Sequence, residues 1–297
     1  MSAAAASPAA IAARRQTRAA KPIASAGWIA SVAALALALA VLGFIFAFVI
    51  VHALPALRPS LFTTVTNGVS GGLRNAILGT IYLVVGAVAL SVIIGLGTGI
   101  WLVEYARGPL AEGVRFISDV LAGVPSIVVG YAGYALLVQR LGWHFSLAAG
   151  AIALMIVMLP YVVRGTDQAL GAVPVALREG SFALGADRVT TLFHVALPFA
   201  LPSITTALLL ATGIAIGETA PLIYTAGWSN YDPSLALTHS PVGYLTYVVW
   251  TFIEQPFAAS HELAYAAAAL LMVFVFLTNV VARLAIAAYV RRSRGEA

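Results

Sequence analysis

One carboxylate in this 297-residue chain stands inside a long apolar run: Glu218, in Ile216-Gly-Glu-Thr-Ala-Pro-Leu222. A charge placed there costs roughly 2.5 to 3.5 kcal/mol on insertion scales, so such groups are usually paired and face a cavity or a partner. The five histidines, at 52, 144, 194, 239 and 261, show no HExxH spacing and no convergence with acids, which argues against an intramembrane metalloenzyme. The absence of cysteine excludes disulfides, thiolate metal sites and cysteine nucleophiles. No glycine loop followed by Lys-Ser/Thr is present to cradle a triphosphate.

The elements that must position Glu218 are membrane helices. The chain is 61% hydrophobic and 9% charged, against roughly a quarter charged in an ordinary soluble domain. Its net charge of +5 comes from residues scattered at segment ends, with no basic face for nucleic acid. Apolar runs near 28–51, 73–103, 117–138, 146–163, 199–227 and 263–288 are each long enough to cross a bilayer. The expected fold is therefore an all-α integral membrane bundle of six helices. The first run is too long for a signal-peptide core and reads as an uncleaved span over 27–52. Residues 1–26, alanine-rich with Arg14, Arg15, Arg18 and Lys21, are expected to be a disordered cytoplasmic tail, and 289–297 a second tail. With the N-terminus inside, 13 of the 16 basic residues fall on the cytoplasmic side, so the positive-inside rule places both termini there.

Within these spans the polar residues mark candidate sites. Gly95 and Gly99 have the small-xxx-small spacing that lets helices approach closely. Pro125 should kink the third span, with Ser126 as a partner for the freed carbonyl. Arg164 reads as snorkelling to the inner interface, and Asp119 as a carboxylate at a helix start. Arg74, with Asn75 and Thr80, lies at the outer end of the second span, against the positive-inside trend. Its guanidinium suits phosphate oxygens, those of a transported anion or of lipid headgroups.

A second polar concentration, Arg178 to Pro198 (REGSFALGADRVTTLFHVALP), falls between long apolar runs. Pro174 and Gly185 suit the two ends of a short helix over 175–184, and Asp187 can cap a second one running toward Pro198. Arg178 and Glu179 would then offer polar groups to a partner. The order Glu179, Gly185, then Val195-Ala-Leu-Pro198 resembles the EAA loop of bacterial ABC importer permeases, with Gly180-Ser181 where that motif has Ala-Ala. Together with Gly71-GLRNAILG-Thr80, Leu121-AGVPSIVVG-Tyr131 and Ile216-GETAP-Leu222, the chain resembles the PstA branch of the phosphate ABC permeases over about residues 70–285.

The resemblance implies a MetI-like type I importer permease in the bacterial cytoplasmic (inner) membrane, its transmembrane domain at 70–288 and its coupling loop at 165–198. It implies a homologous (PstC-like) permease partner, two (PstB-like) ATPase subunits and an external (PstS-like) phosphate-binding protein. ATP and Mg would sit on the ATPase; this chain, with lipid around it, would bind no cofactor. Arg178, Glu179, Gly185 and Ala186 become candidates for ATPase coupling, and Arg74, Asn75, Thr80, Ser126, Glu218 and Thr219 for the pathway. The family commonly has an arginine four residues before the glutamate of IGETAPL; Ile214 stands here instead. Glu218 is then expected to pair with an arginine of the partner permease, to be protonated, or to accept a hydrogen bond from protonated phosphate. Alternatively it bonds Thr219, Thr212 or nearby backbone and holds the helix's shape. Molybdate or sulfate permeases are the competing reading. An ion-coupled carrier lacks support, since no paired broken helices in related halves and no second buried acid are apparent.

Overall fold

In the computed structural model, residues 8–293 are described. Helix α1 is Pro8–Ala53. The alanine-rich segment expected to be disordered is helical from Pro8, as the helix propensity of alanine favours; residues 1–7 and 294–297 lie outside the described residues. Met1–Val51 is one compact unit and His52–Ala297 the other.

The second unit opens with a 3₁₀ turn, Leu54–Ala56, and helix α2, Pro59–Thr63. Strands β1 (Thr66–Asn67) and β2 (Ser70–Gly71) form a small antiparallel hairpin with Thr66 opposite Gly71. Helices α3 (Arg74–Ser91) and α4 (Gly97–Glu104) are joined through a π-turn at Val92–Leu96 into one span. Next come α5 (Pro109–Gly123) and α6 (Ser126–Gly133), the latter continuing through a π-turn to Arg140. Helix α7 is Leu147–Gly171 and α8 Val175–Ala183. Helix α9 (Arg188–Thr191) runs through a π-turn, Leu192–Ala196, into α10 (Leu197–Gly217). After a break come α11 (Ala220–Thr225), α12 (Leu245–Phe252) and α13 (Ala258–Ser293).

Five of these helical segments are long and apolar enough to cross a membrane, six if α5 and α6 count together. That pair departs from the sequence reading. Instead of one kinked span over 117–138, the chain turns by 101° at Val124–Pro125, where both residues are extended (ψ 127° and 133°). A proline pushes the residue before it out of the α region, and here the helix stops rather than bends. Ser126 opens α6, and no hydrogen bond of its side chain is found among the described residues. Two helices also outrun their expected limits: α7 continues past 163 to Gly171, and α13 spans Ala258–Ser293, so that the expected tail at 289–297 is helical as far as Ser293.

Helix α7 is the centre of the bundle, with 61% of its apolar stretch buried. Leu154 and Met158 pack with Leu83 and Ala87 of α3, Ala211 and Ala215 of α10, and Leu222 of α11. The small-residue spacing has the expected use: a Cβ on Gly95 would lie 2.8 Å from Val162 Cγ1, and one on Gly99 2.5 Å from Thr166 Cβ. Farther along the bundle Leu61, Leu73, Leu245 and Phe252 form a second core with Leu263 and Ala267 of α13. At the opposite end Leu170, Val173, Leu192 and Ile204 form a third core.

Candidate coupling and pathway sites

Between α7 and α10 the chain forms a knob. Pro174 occupies the cap position of α8, whose residues include none that is buried. Gly185 reverses the backbone at φ +86°, a conformation that only glycine adopts without strain from a Cβ. The Asp187 carboxylate accepts a hydrogen bond from Thr190 N at 2.8 Å, capping α9 as expected and holding its pKa below the usual carboxylate range. That second helix does not end at Pro198. It passes through its π-turn into the long span, so that Pro198 lies inside one continuous helix over Arg188–Gly217, just after the π-turn, where it adds no amide hydrogen to the ladder. The two halves of the knob are linked by Ser181 Oγ and Thr191 Oγ1, 2.9 Å apart.

Val175, Phe182, Leu184 and Val189 are exposed around Glu179, Leu184 by 91%. These exposed apolar side chains and Glu179 together make this segment the candidate docking surface. Glu179 is exposed, Ala186 half-buried. Arg178 is a different matter. It is expected to meet a partner, but its Nη1 donates to Glu104 Oε1 at 2.5 Å and its Nη2 to Leu170 O at 3.1 Å. The guanidinium therefore moors α8 to the ends of α4 and α7.

Two more ion pairs lie nearby. Arg115 on α5 grips Asp167 on α7 with both its Nε and Nη2, at 2.9 and 3.0 Å. Arg164 on α7 pairs with Asp119 on α5. These crossed pairs replace two expectations: Arg164 does not simply snorkel, and Asp119 sits in the third turn of a helix that begins at Pro109, not at its start. Arginine and aspartate four apart on one segment, three apart on the next, are the pattern that carried this information.

The outer candidates are engaged in contacts within the chain. Arg74 spends its fork on Asp232, Nε–Oδ1 3.1 Å and Nη2–Oδ2 2.5 Å, and donates Nη1 to Thr63 O at 2.7 Å. Asn75 is fully buried; its Oδ1 accepts from Thr66 N and Oγ1 at 3.0 and 2.9 Å, and its Nδ2 donates to Ser229 O at 2.8 Å. Thr80 donates to Ala76 O and accepts from Leu245 N at 2.9 Å, satisfying an orphan amide at the start of α12. None of the three presents a free group to an anion in this structure.

Ser126, Glu218 and Thr219 remain. Helix α10 stops at Gly217, Glu218 is extended, and α11 restarts at Ala220. The break is pinned by Thr246 Oγ1, which donates to Glu218 O at 2.9 Å. Among the described residues no hydrogen bond or ion pair reaches the Glu218 carboxylate. The Thr212 hydroxyl, the alternative partner, donates to Leu208 O. The two helix breaks face each other across α6 and α11: a Cβ on Gly130 would lie 2.6 Å from Pro221 Cα and 3.1 Å from Ala220 O. Ser126, one turn before Gly130, shares its face of α6. Two interrupted helices, each with a half-buried polar residue at the interruption, thus pack on one another.

Residues 91–294 match the family described as binding-protein-dependent transport system inner membrane component. The chain belongs to that permease family. The permease is 44% identical over 257 residues to the phosphate transport system permease protein PstA 2 of Mycobacterium bovis, covering 86% of this chain and 85% of that one. It is 40% identical over 228 residues to PstA of Yersinia pestis, covering 75% and 76%. Among solved structures, a chain of the inward-facing MetNI methionine ABC transporter superposes with a TM-score of 0.61 at 19% identity, over 73% of the permease and 97% of that chain. This shared fold is the MetI-like bundle.

Proposed function

We propose that the chain is the transmembrane permease subunit of an ATP-driven importer that carries inorganic phosphate into the cytoplasm by alternating access. The exposed apolar knob of α8, moored through Arg178 to two spans, is the observation that carries the reading: a push on α8 is transmitted to α4 and α7. The phosphate permeases named above support the choice of cargo. Both termini and the knob lie on the cytoplasmic face of the bacterial inner membrane, where an ATPase subunit meets Glu179 and the apolar cluster. ATP and magnesium belong to that ATPase. A second, homologous permease completes the pathway, and an external binding protein delivers the anion. The unpartnered carboxylate of Glu218, with Ile214 one turn before it, fits an arginine supplied by that second permease.

Reconstitution of the permease with its genomic neighbours, ATPase, homologous permease and receptor, tests the reading. Radiolabelled phosphate should accumulate in proteoliposomes only with ATP. Accumulation of molybdate or sulfate and none of phosphate would reassign the cargo; uptake without the ATPase would overturn the mechanism.

A further inference from the structure

At the end of α7 that leads into α8, the packed helices α7 and α10 border, with α13, an open groove of about 1110 Å³. Each helix turns one face to it. From α13 come Asn279, Arg283 and Arg291, at four- and eight-residue spacing and so along one stripe. Opposite them stand Gln168 of α7 and Ser203 of α10. No aspartate or glutamate lines the groove, and no ion pair or hydrogen bond reaches Arg283 or Arg291 among the described residues. This sets them apart from Arg74, Arg115, Arg164 and Arg178, each neutralised by a carboxylate. Gln168 and Ser203 likewise make no side-chain hydrogen bond within the described residues, whereas Asn279 gives one amide hydrogen to Val275 O and keeps the other.

Two unpaired guanidinium forks facing neutral donors, in a groove without acids, are suited to the oxygens of a phosphate group. We propose that this groove binds one. Both an anionic phospholipid headgroup and a free phosphate ion carry that group. The groove is wide enough for either, since ligand pockets run from about 300 to 1,000 Å³, and Leu209, Leu210 and Ile286 along its wall could accompany an acyl chain.

The test uses the whole complex carrying Arg283→Gln with Arg291→Gln, beside Arg107→Gln as a control away from the groove. Phosphatidylglycerol retained after transfer into phosphatidylcholine nanodiscs is counted by mass spectrometry, and phosphate uptake is measured in phosphatidylcholine proteoliposomes. A lipid ligand is shown by a loss of retained phosphatidylglycerol of at least about fivefold in the double variant only. A free-phosphate ligand is shown by a similar fall in uptake with lipid retention unchanged. Retention and uptake both within twofold of the unsubstituted complex overturn the proposal. Arg283→Lys with Arg291→Lys, which keeps charge and folding determinants but removes the fork, should give an intermediate loss in the same assay. The free-phosphate arm rests on the proposed cargo; an unsubstituted complex that transports no phosphate would sink that cargo, while the lipid arm would still be read.

Discussion

The mooring of α8 can be tested by removing one side of it. In Glu104→Gln the Arg178 guanidinium keeps Leu170 O but loses its carboxylate, in a pair whose side chains are 7% and 18% exposed for Glu104 and Arg178. Stranding one member of a fully buried pair costs roughly 3 to 5 kcal/mol. The residual access of water to Arg178 lowers this to about 2 to 3 kcal/mol. For a domain of this size each kcal/mol is worth about 2 to 4 °C, so melting of the detergent-purified permease, followed by tryptophan fluorescence, should fall by about 5 to 10 °C. Arg178→Gln should cost a similar amount. The double variant should cost much less than the sum, because neither charge is then stranded. In the assembled importer Glu104→Gln should hydrolyse ATP while moving little phosphate, since α8 would swing without drawing α4 and α7. Losses that add to within about 0.5 kcal/mol would show that the pair holds nothing, and tight coupling in Glu104→Gln would show that α8 transmits force another way.

Asn75→Ala leaves the Thr66 amide and Ser229 carbonyl unsatisfied in a buried site and should cost about 2 to 4 kcal/mol with anion selectivity unchanged; a selectivity change at normal stability would return Asn75 to the pathway. Thr80→Val strands the Leu245 amide at about 1 to 3 kcal/mol, and Thr80→Ser should restore the melting temperature. The Asp187 cap should respond to acid: its pKa is depressed by the Thr190 hydrogen bonds, so its contribution is complete above the ordinary value near 4 and is lost as pH falls through the lower, folded value. Hydrogen exchange in α9 should therefore quicken below pH 4, and Asp187→Asn, which caps without titrating, should remove that step. Glu218→Gln should abolish or deregulate uptake, and a charge change at the partner permease's arginine should partly restore it; wild-type uptake and selectivity in Glu218→Gln would leave the carboxylate without a role.

The backbone shape of the segment from Pro174 to Thr191 was legible because local chemistry writes it: a proline cap, a glycine at positive φ and an aspartate cap all act within a few residues. The helix approach at Gly95 and Gly99 was legible for the same reason. Long-range partners were not. Asn75 meets Ser229 and Thr80 meets Leu245 across 154 and 165 residues, and Arg74 meets Asp232 across 158, so the partners of these polar side chains cannot be read from their neighbours in the chain. The turn at Val124–Pro125 was hidden because a proline in an apolar run looks the same whether the helix bends or stops. The π-turns at Val92–Leu96, Tyr134–Arg140 and Leu192–Ala196 each insert a residue into the helical repeat, so face assignments carried across them slip by about a quarter turn.

The three ion pairs that join α4, α5, α7 and α8 bear on how the chain is made. Arg115, Arg164 and Arg178 are partnered by Asp167, Asp119 and Glu104. During insertion, orientation responds to lysine and arginine near the ends of spans, and acidic residues contribute little. On the proposed orientation these arginines therefore act twice, first as retention signals on the nascent chain, then as structural cations once their pairs close. Two of the pairs close only when α7 has emerged, since Asp167 and Arg164 lie about 50 residues after their partners. The chain can thus declare its topology with charges that the finished protein no longer displays.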